Sequence, residues 1–214
     1  MDLYLVLQLP TIIQSKEDIK IVYHFLNKLS NCSFEYGEFD EVIFNSEALE
    51  FLFGNSSKQF YIQKCLLFMD YFSENKLKIA LNYLCVSGTL AITFPPNKDM
   101  TNYTDILFEI LMKEDKFNEV HLNSNNLQTL FDIIINHIET STKSSKMVAT
   151  IELNGQRINL TSLNERAEKI EDDNDDDDYL ITKYRLSNKF NPKIKYSILY
   201  KEELEELIIK QIYC

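Results

Sequence analysis

The stretch that decides the fold reads EVHLNSNNLQTLFDIIINHI over residues 119–138, followed by MVATIELNGQRINLTS over residues 147–162. A short run at 118–122 reads as a strand. Over residues 124–139, Leu127, Leu130, Phe131, Ile134 and Ile138 recur at helical spacing and predict a helix with one apolar stripe. Residues 147–153 and 156–163 flank Asn154-Gly155, a dipeptide that favours two-residue hairpin turns because both positions take positive φ. The order is therefore strand, helix, hairpin. Further on, residues 179–186 and 193–200 alternate as strands, and EELEELIIKQI at 202–212 reads as a closing helix.

Working back toward the N-terminus, a similar order can be read. Residues 2–9 predict a strand. Residues 15–30, SKEDIKIVYHFLNKLS, predict a helix with Ser15 as N-cap and acidic residues in its first turn. Residues 33–45 read as two short strands around Gly37, and 58–63 as another strand. Residues 64–74 fit a short helix or a buried strand equally well. LKIALNYLCVSGTLAITF at 77–94 predicts a hairpin about Ser87-Gly88, closed by Pro95-Pro96, while 105–113 fits strand and helix alike. Identical residues do not recur at any fixed period.

Composition bounds the rest. The chain has 214 residues, 45% of them hydrophobic, which is enough to build a core, and a formal net charge of −11. It lacks a run of about 18 apolar residues, so a membrane span is not expected. MDLYLVLQLP at the N-terminus has neither a basic n-region nor a small-residue cleavage site, which argues against a secretory signal and for an intracellular protein, nuclear or cytoplasmic. Cys32, Cys65, Cys85 and Cys214 are scattered without CxxC spacing, so reduced thiols are expected rather than zinc ligands or disulfides. The acidic run at 171–178 reads as a solvated loop between strands, because it lacks the glycine and terminal glutamate of a calcium loop.

Catalytic motifs are missing. His24, His121 and His137 do not stand at metal-ligand spacing, and the four glycines build neither a phosphate loop nor a nucleophile elbow. The chain is therefore expected to be non-enzymatic, with no cofactor and no metal. The first helix is more informative. Ile19, Val22, Tyr23, Leu26 and Leu29 share one face, while Lys16, Lys20, His24 and Lys28 follow one another at intervals of four on a second face. That second face is either a solvated amphipathic surface or a stripe directed at DNA phosphates.

Three passages, LKIALNYLCVSGTLAITFPPN, TDILFEILMKED and the 119–162 region, resemble the DNA sliding-clamp family that includes proliferating cell nuclear antigen and the trimeric checkpoint clamps. The resemblance implies an α+β fold of antiparallel sheets with helices on one side. It implies two strand–helix–hairpin halves, residues 1–116 and 117–214, the second short of a complete clamp domain. It further implies a non-catalytic subunit of DNA replication or repair, homo- or hetero-oligomeric, with Lys16, Lys20, His24 and Lys28 facing duplex DNA without reading its sequence. Two alternatives stay open. One is an acidic α+β adaptor subunit of a larger complex that does not touch DNA, and the other is a small enzyme whose site assembles from distant residues.

Overall fold

The computed structural model describes residues 15–39, 58–69, 73–142, 147–155, 158–174 and 180–212. The strand expected at 2–9 lies outside them. The α+β class is found, with helices and strands in one body. Its strands are β1 (Ser33–Phe39), β2 (Phe60–Phe68), β3 (Leu84–Thr93), β4 (Phe117–Asn123), β5 (Thr150–Asn154), β6 (Glu168–Asn174), β7 (Leu180–Ser187), β8 (Lys195–Lys201) and β9 (Glu206–Ile212). Its helices are α1 (Lys16–Leu29), α2 (Ser73–Tyr83), α3 (Thr104–Leu111), α4 (Gln128–Thr140) and α5 (Thr161–Arg166). Among the described residues the strands form one sheet in the order β1-β2-β3-β4-β5-β9-β8-β7-β6.

The first four pairings are parallel, where antiparallel hairpins were expected. Parallel neighbours need a crossover, and α2, α3 and α4 supply it between successive strands from β2 to β5. Along one row of partners, Phe39 pairs with Leu67, Leu67 with Ile92, Ile92 with Leu122 and Leu122 with Leu153. The chain thus advances by 28, 25, 30 and 31 residues per strand. This is the arrangement of an α/β solenoid, in which each strand–helix unit packs on its neighbours. The unequal steps conceal the repeat from a search for identity. From β5 onward the sheet turns antiparallel through β9, β8, β7 and β6. It crosses the expected boundary at 116/117 without a break, since β3 pairs with β4.

Several local expectations are corrected. Residues 77–94 are a helix followed by a strand, not a hairpin. Leu77, Ala80, Leu81 and Leu84 are buried at helical spacing, and only beyond them does alternation begin. Gly88 lies within β3 beside a register shift, where a Cβ would stand 2.6 Å from the Gln63 carbonyl oxygen of β2, so close backbone approach explains the glycine. Asn154-Gly155 ends β5 instead of turning a hairpin. Gly155 has φ of 107°, whereas Asn154 does not take positive φ. Residues 202–212 form a turn and strand β9 rather than a helix. Leu207 and Ile209 alternate inward with period two and set β9 antiparallel to β8. Half of the acidic run, up to Asn174, is edge strand β6 paired with β7, not loop. One strand runs through Gly37, residues 64–68 of the ambiguous 64–74 segment belong to β2, and residues 105–111 of the 105–113 segment belong to α3.

The helices and one face of the sheet share a single core. Leu77, Leu107, Ile110, Phe131 and Ile134 from the helices pack with Leu90, Ile92, Val120, Leu122, Ile151 and Leu153 from the strands. Helix α1 adds Val22 and Leu26 to that core; Ser15 is its N-cap, as the sequence predicts, and Asp18 completes a capping box. Lys116 closes the end of α2 by donating to the carbonyl oxygens of Leu81 and Asn82 at 2.8 and 3.0 Å. Burial lowers its ammonium pKa below the ordinary lysine value.

Candidate functional site

Strand side chains alternate between two faces, so a sheet covered by helices on one face presents a second, uncovered set of residues. Here the covered set is apolar, while the open set is chemically sorted along the sheet. One row of partners crosses eight strands: Glu38, Leu66, Ala91, His121, Glu152, Ile208, Leu199 and Lys183. A neighbouring row runs Tyr36, Lys64, Thr89, Glu119, Thr150, Lys210, Ser197 and Arg185.

Three zones result. At the β1–β2 end, Tyr36, Tyr61 and Phe68 are 45, 48 and 39% exposed, unusually open for large aromatic side chains. At the β7–β9 end, Lys183, Arg185, Lys195, Lys201 and Lys210 occupy open-face positions, a cationic patch on a chain of net charge −11. Arg185 pairs with Glu168 at 3.4 Å and Lys201 with Glu206 at 3.5 Å. Register also sets Glu171 of β6 opposite Lys183.

The central zone holds the densest polar cluster. His121 Nε2 lies 2.9 Å from Glu119 Oε1 and 3.3 Å from Glu152 Oε2. All three side chains are partly buried, at 29, 31 and 18% exposure. Thr89 Oγ1 donates to Glu119 Oε2 at 3.3 Å, and Asn154 Nδ2 donates to Glu152 Oε1 at 2.6 Å. These are the described residues whose chemistry suits a metal ion, since one ligand atom from each lies within 4.8 Å of the others. In the sequence His121 stands without a partner at metal-ligand spacing. Glu119-x-His121 on a strand already places both on one face, but Glu152 joins them only through the β4–β5 pairing.

The residues singled out in the sequence lie elsewhere. Lys16, Lys20, His24 and Lys28 are all exposed on α1, as their spacing predicts. Lys20 approaches Glu17 at 3.8 Å, a solvent-exposed contact of small energetic weight. Tyr23, expected on the apolar face of this helix, is 42% exposed, and so are Ile21 and Phe25 at 47 and 41%. Half-buried His137 packs edge-to-face with Phe108, ring centroids 5.3 Å apart. No helix among the described residues is long and apolar enough to cross a membrane.

A domain family of unknown function, DUF8381, matches residues 2–95, which include α1 and β1–β3 but stop short of the central cluster. Neither a curated protein nor a solved structure matches the chain.

Proposed function

We propose that this chain is a non-catalytic docking subunit that binds a partner polypeptide across the open face of its sheet. The observation that supports it best is the sorting of that face. Exposed aromatics stand at one end and a cationic patch at the other, on a sheet face that the described helices leave uncovered. Large exposed aromatics on a fixed scaffold suit the anchor positions of an interface, and clustered cations on an acidic chain suit recognition of an acidic segment. The fitting partner is therefore a polypeptide with an apolar anchor for Tyr36, Tyr61 and Phe68 and an acidic stretch for Lys183, Lys195 and Lys210. Solenoids commonly bind along such extended surfaces.

Photo-crosslinking amino acids placed at Ala91 and Leu199 on the open face, and at Asp105 and Asn136 on exposed helix positions, test this in the native cell. The docking reading expects one common adduct from Ala91 and Leu199 and none from the helix positions. Adducts confined to the helices would refute it.

A second reading, a sliding-clamp-like subunit that encircles or tethers DNA in replication or repair, is favoured by the exposure of Lys16, Lys20, His24 and Lys28. It has less support because the clamp resemblance rests on hairpins, and the 77–94 and 147–163 segments do not pair as hairpins. Its test is salt-dependent retention of the native complex on closed DNA. Loss of three phosphate contacts would flatten the salt slope by about 3.

A further inference from the structure

We propose that Glu119, His121 and Glu152 bind one divalent transition-metal ion of the zinc class, held by His121 Nε2 and one carboxylate oxygen from each glutamate. This inference does not depend on the docking reading. It starts from a mismatch in the cluster. A single imidazole N–H aims well at one acceptor, yet Nε2 faces carboxylate oxygens from two strands, at 2.9 and 3.3 Å. One small cation in place of that proton would satisfy all three donor atoms together. Zinc bonds of about 2.0–2.2 Å in tetrahedral geometry put ligand atoms roughly 3.3–3.6 Å apart. The observed separations lie within a few tenths of an ångström of that span.

Two supports come from outside the triad. Asn154 holds the other oxygen of Glu152, and Thr89 reaches the other oxygen of Glu119. Each carboxylate is thereby turned to present one remaining oxygen to His121, the role outer hydrogen bonds play at metal centres. The backbone beneath is also fixed. Val120, Leu122, Ile151 and Leu153, the inward neighbours of the three ligands, are at most 1% exposed. Ligands on paired strands of a central sheet keep their geometry better than ligands on loops. Imidazole with two carboxylates suits zinc, manganese, iron or cobalt rather than the all-oxygen cage of calcium. Three protein ligands leave a fourth position facing the open side of the sheet for water or for a donor from a bound partner.

The test uses the full chain, stripped with a chelator and titrated calorimetrically with Zn²⁺, with Co²⁺ absorption as a second readout. The expected result is one ion per chain at micromolar affinity or tighter, with a visible Co²⁺ spectrum of four-coordinate intensity. His121→Ala and Glu152→Gln should each weaken binding at least tenfold, and Thr89→Ala should weaken it roughly tenfold, as outer-shell losses do. Thermal melting establishes that each variant is folded, and His121→Gln replaces any that is not. Binding weaker than millimolar in the wild-type chain would overturn the site and leave a histidine–carboxylate ion pair. Binding unchanged in both His121→Ala and Glu152→Gln would overturn it too, by placing the ion elsewhere, for example on the acidic run or the thiols.

Discussion

Replacing Asn188 with alanine should cost the fold about 3–5 kcal/mol, because this side chain ties the end of α4 to the β7–β8 turn. Asn188 is 2% exposed. Its Nδ2 donates to the carbonyl oxygens of Ile138 at 2.7 Å and Ser141 at 2.9 Å, at the end of α4. Its Oδ1 accepts from the Phe190 and Asn191 amides at 2.9 and 2.8 Å, in the β7–β8 turn. These contacts differ in weight. The turn amides belong to exposed residues and can turn to water, costing about 0.5 kcal/mol each. The Ile138 carbonyl lies in a buried contact, and stripping its partner costs about 1–3 kcal/mol. The part-buried Ser141 contact adds about 1 kcal/mol. A total of about 3–5 kcal/mol lowers the melting temperature of a domain this size by about 6–20 °C. Buried Glu139 stands beside it, paired with Arg166 at 3.4 Å and Lys189 at 3.1 Å, so the junction has little room to repack. Thermal unfolding followed by circular dichroism is the assay, with Asn136→Ala on the exposed side of α4 as a control expected to be near neutral. A shift below about 2 °C for Asn188→Ala would refute the junction.

Gly155→Val should destabilise by at least about 1 kcal/mol, since φ is 107° and a Cβ would meet Asn123 Oδ1 at 2.9 Å; an unchanged melting temperature would contradict that geometry. His137 should make the fold weaken in acid. Burial pulls its pKa below 6.5, and its Nε2 has no hydrogen-bond partner, so the unfolded chain binds the proton more readily. Its contribution is complete above pH 6.5 and is lost as pH falls from there through the lowered native pKa; His137→Phe should show a smaller drop in urea midpoint between pH 7.5 and 5. Thiol labelling of the native chain should modify exposed Cys32 and spare Cys65, which is fully buried with its pKa pushed up to about 12. Equal labelling rates for the two would argue against this core.

Local patterns were legible where one period governed them. Helix α1 was readable because Ser15, Asp18 and the Val22–Leu26 stripe agree, and α4 because Leu130, Phe131, Ile134 and Ile138 leave no second interpretation. The closing segment misled because Glu202–Glu206 are good helix formers, whereas Leu207 and Ile209 are buried by pairing with β8. The 77–94 segment joins two periods with no glycine or proline at the switch, so helix α2 passes directly into β3. Parallel order is hidden in the sequence for a related reason. Fully helix-backed strands and antiparallel strands both alternate, and only the intervening helix reveals the crossover. The open-face cluster was half legible: Glu119 and His121 share a strand face by spacing, but Glu152 arrives from 31 residues beyond His121 through register alone.

The most direct measurement of the central claim compares two charge variants of the native complex. One carries Lys183→Glu, Lys195→Glu and Lys210→Glu on the open face, and the other carries Lys16→Ala, Lys20→Ala and Lys28→Ala on α1. Both sets lie on residues at least partly exposed, so the fold should survive. Quantified recovery of the polypeptide crosslinked from Ala91 and Leu199 is the readout. The docking account predicts at least a tenfold loss in the open-face variant and no loss in the α1 variant. Full retention in the open-face variant, with loss in the α1 variant, would contradict it.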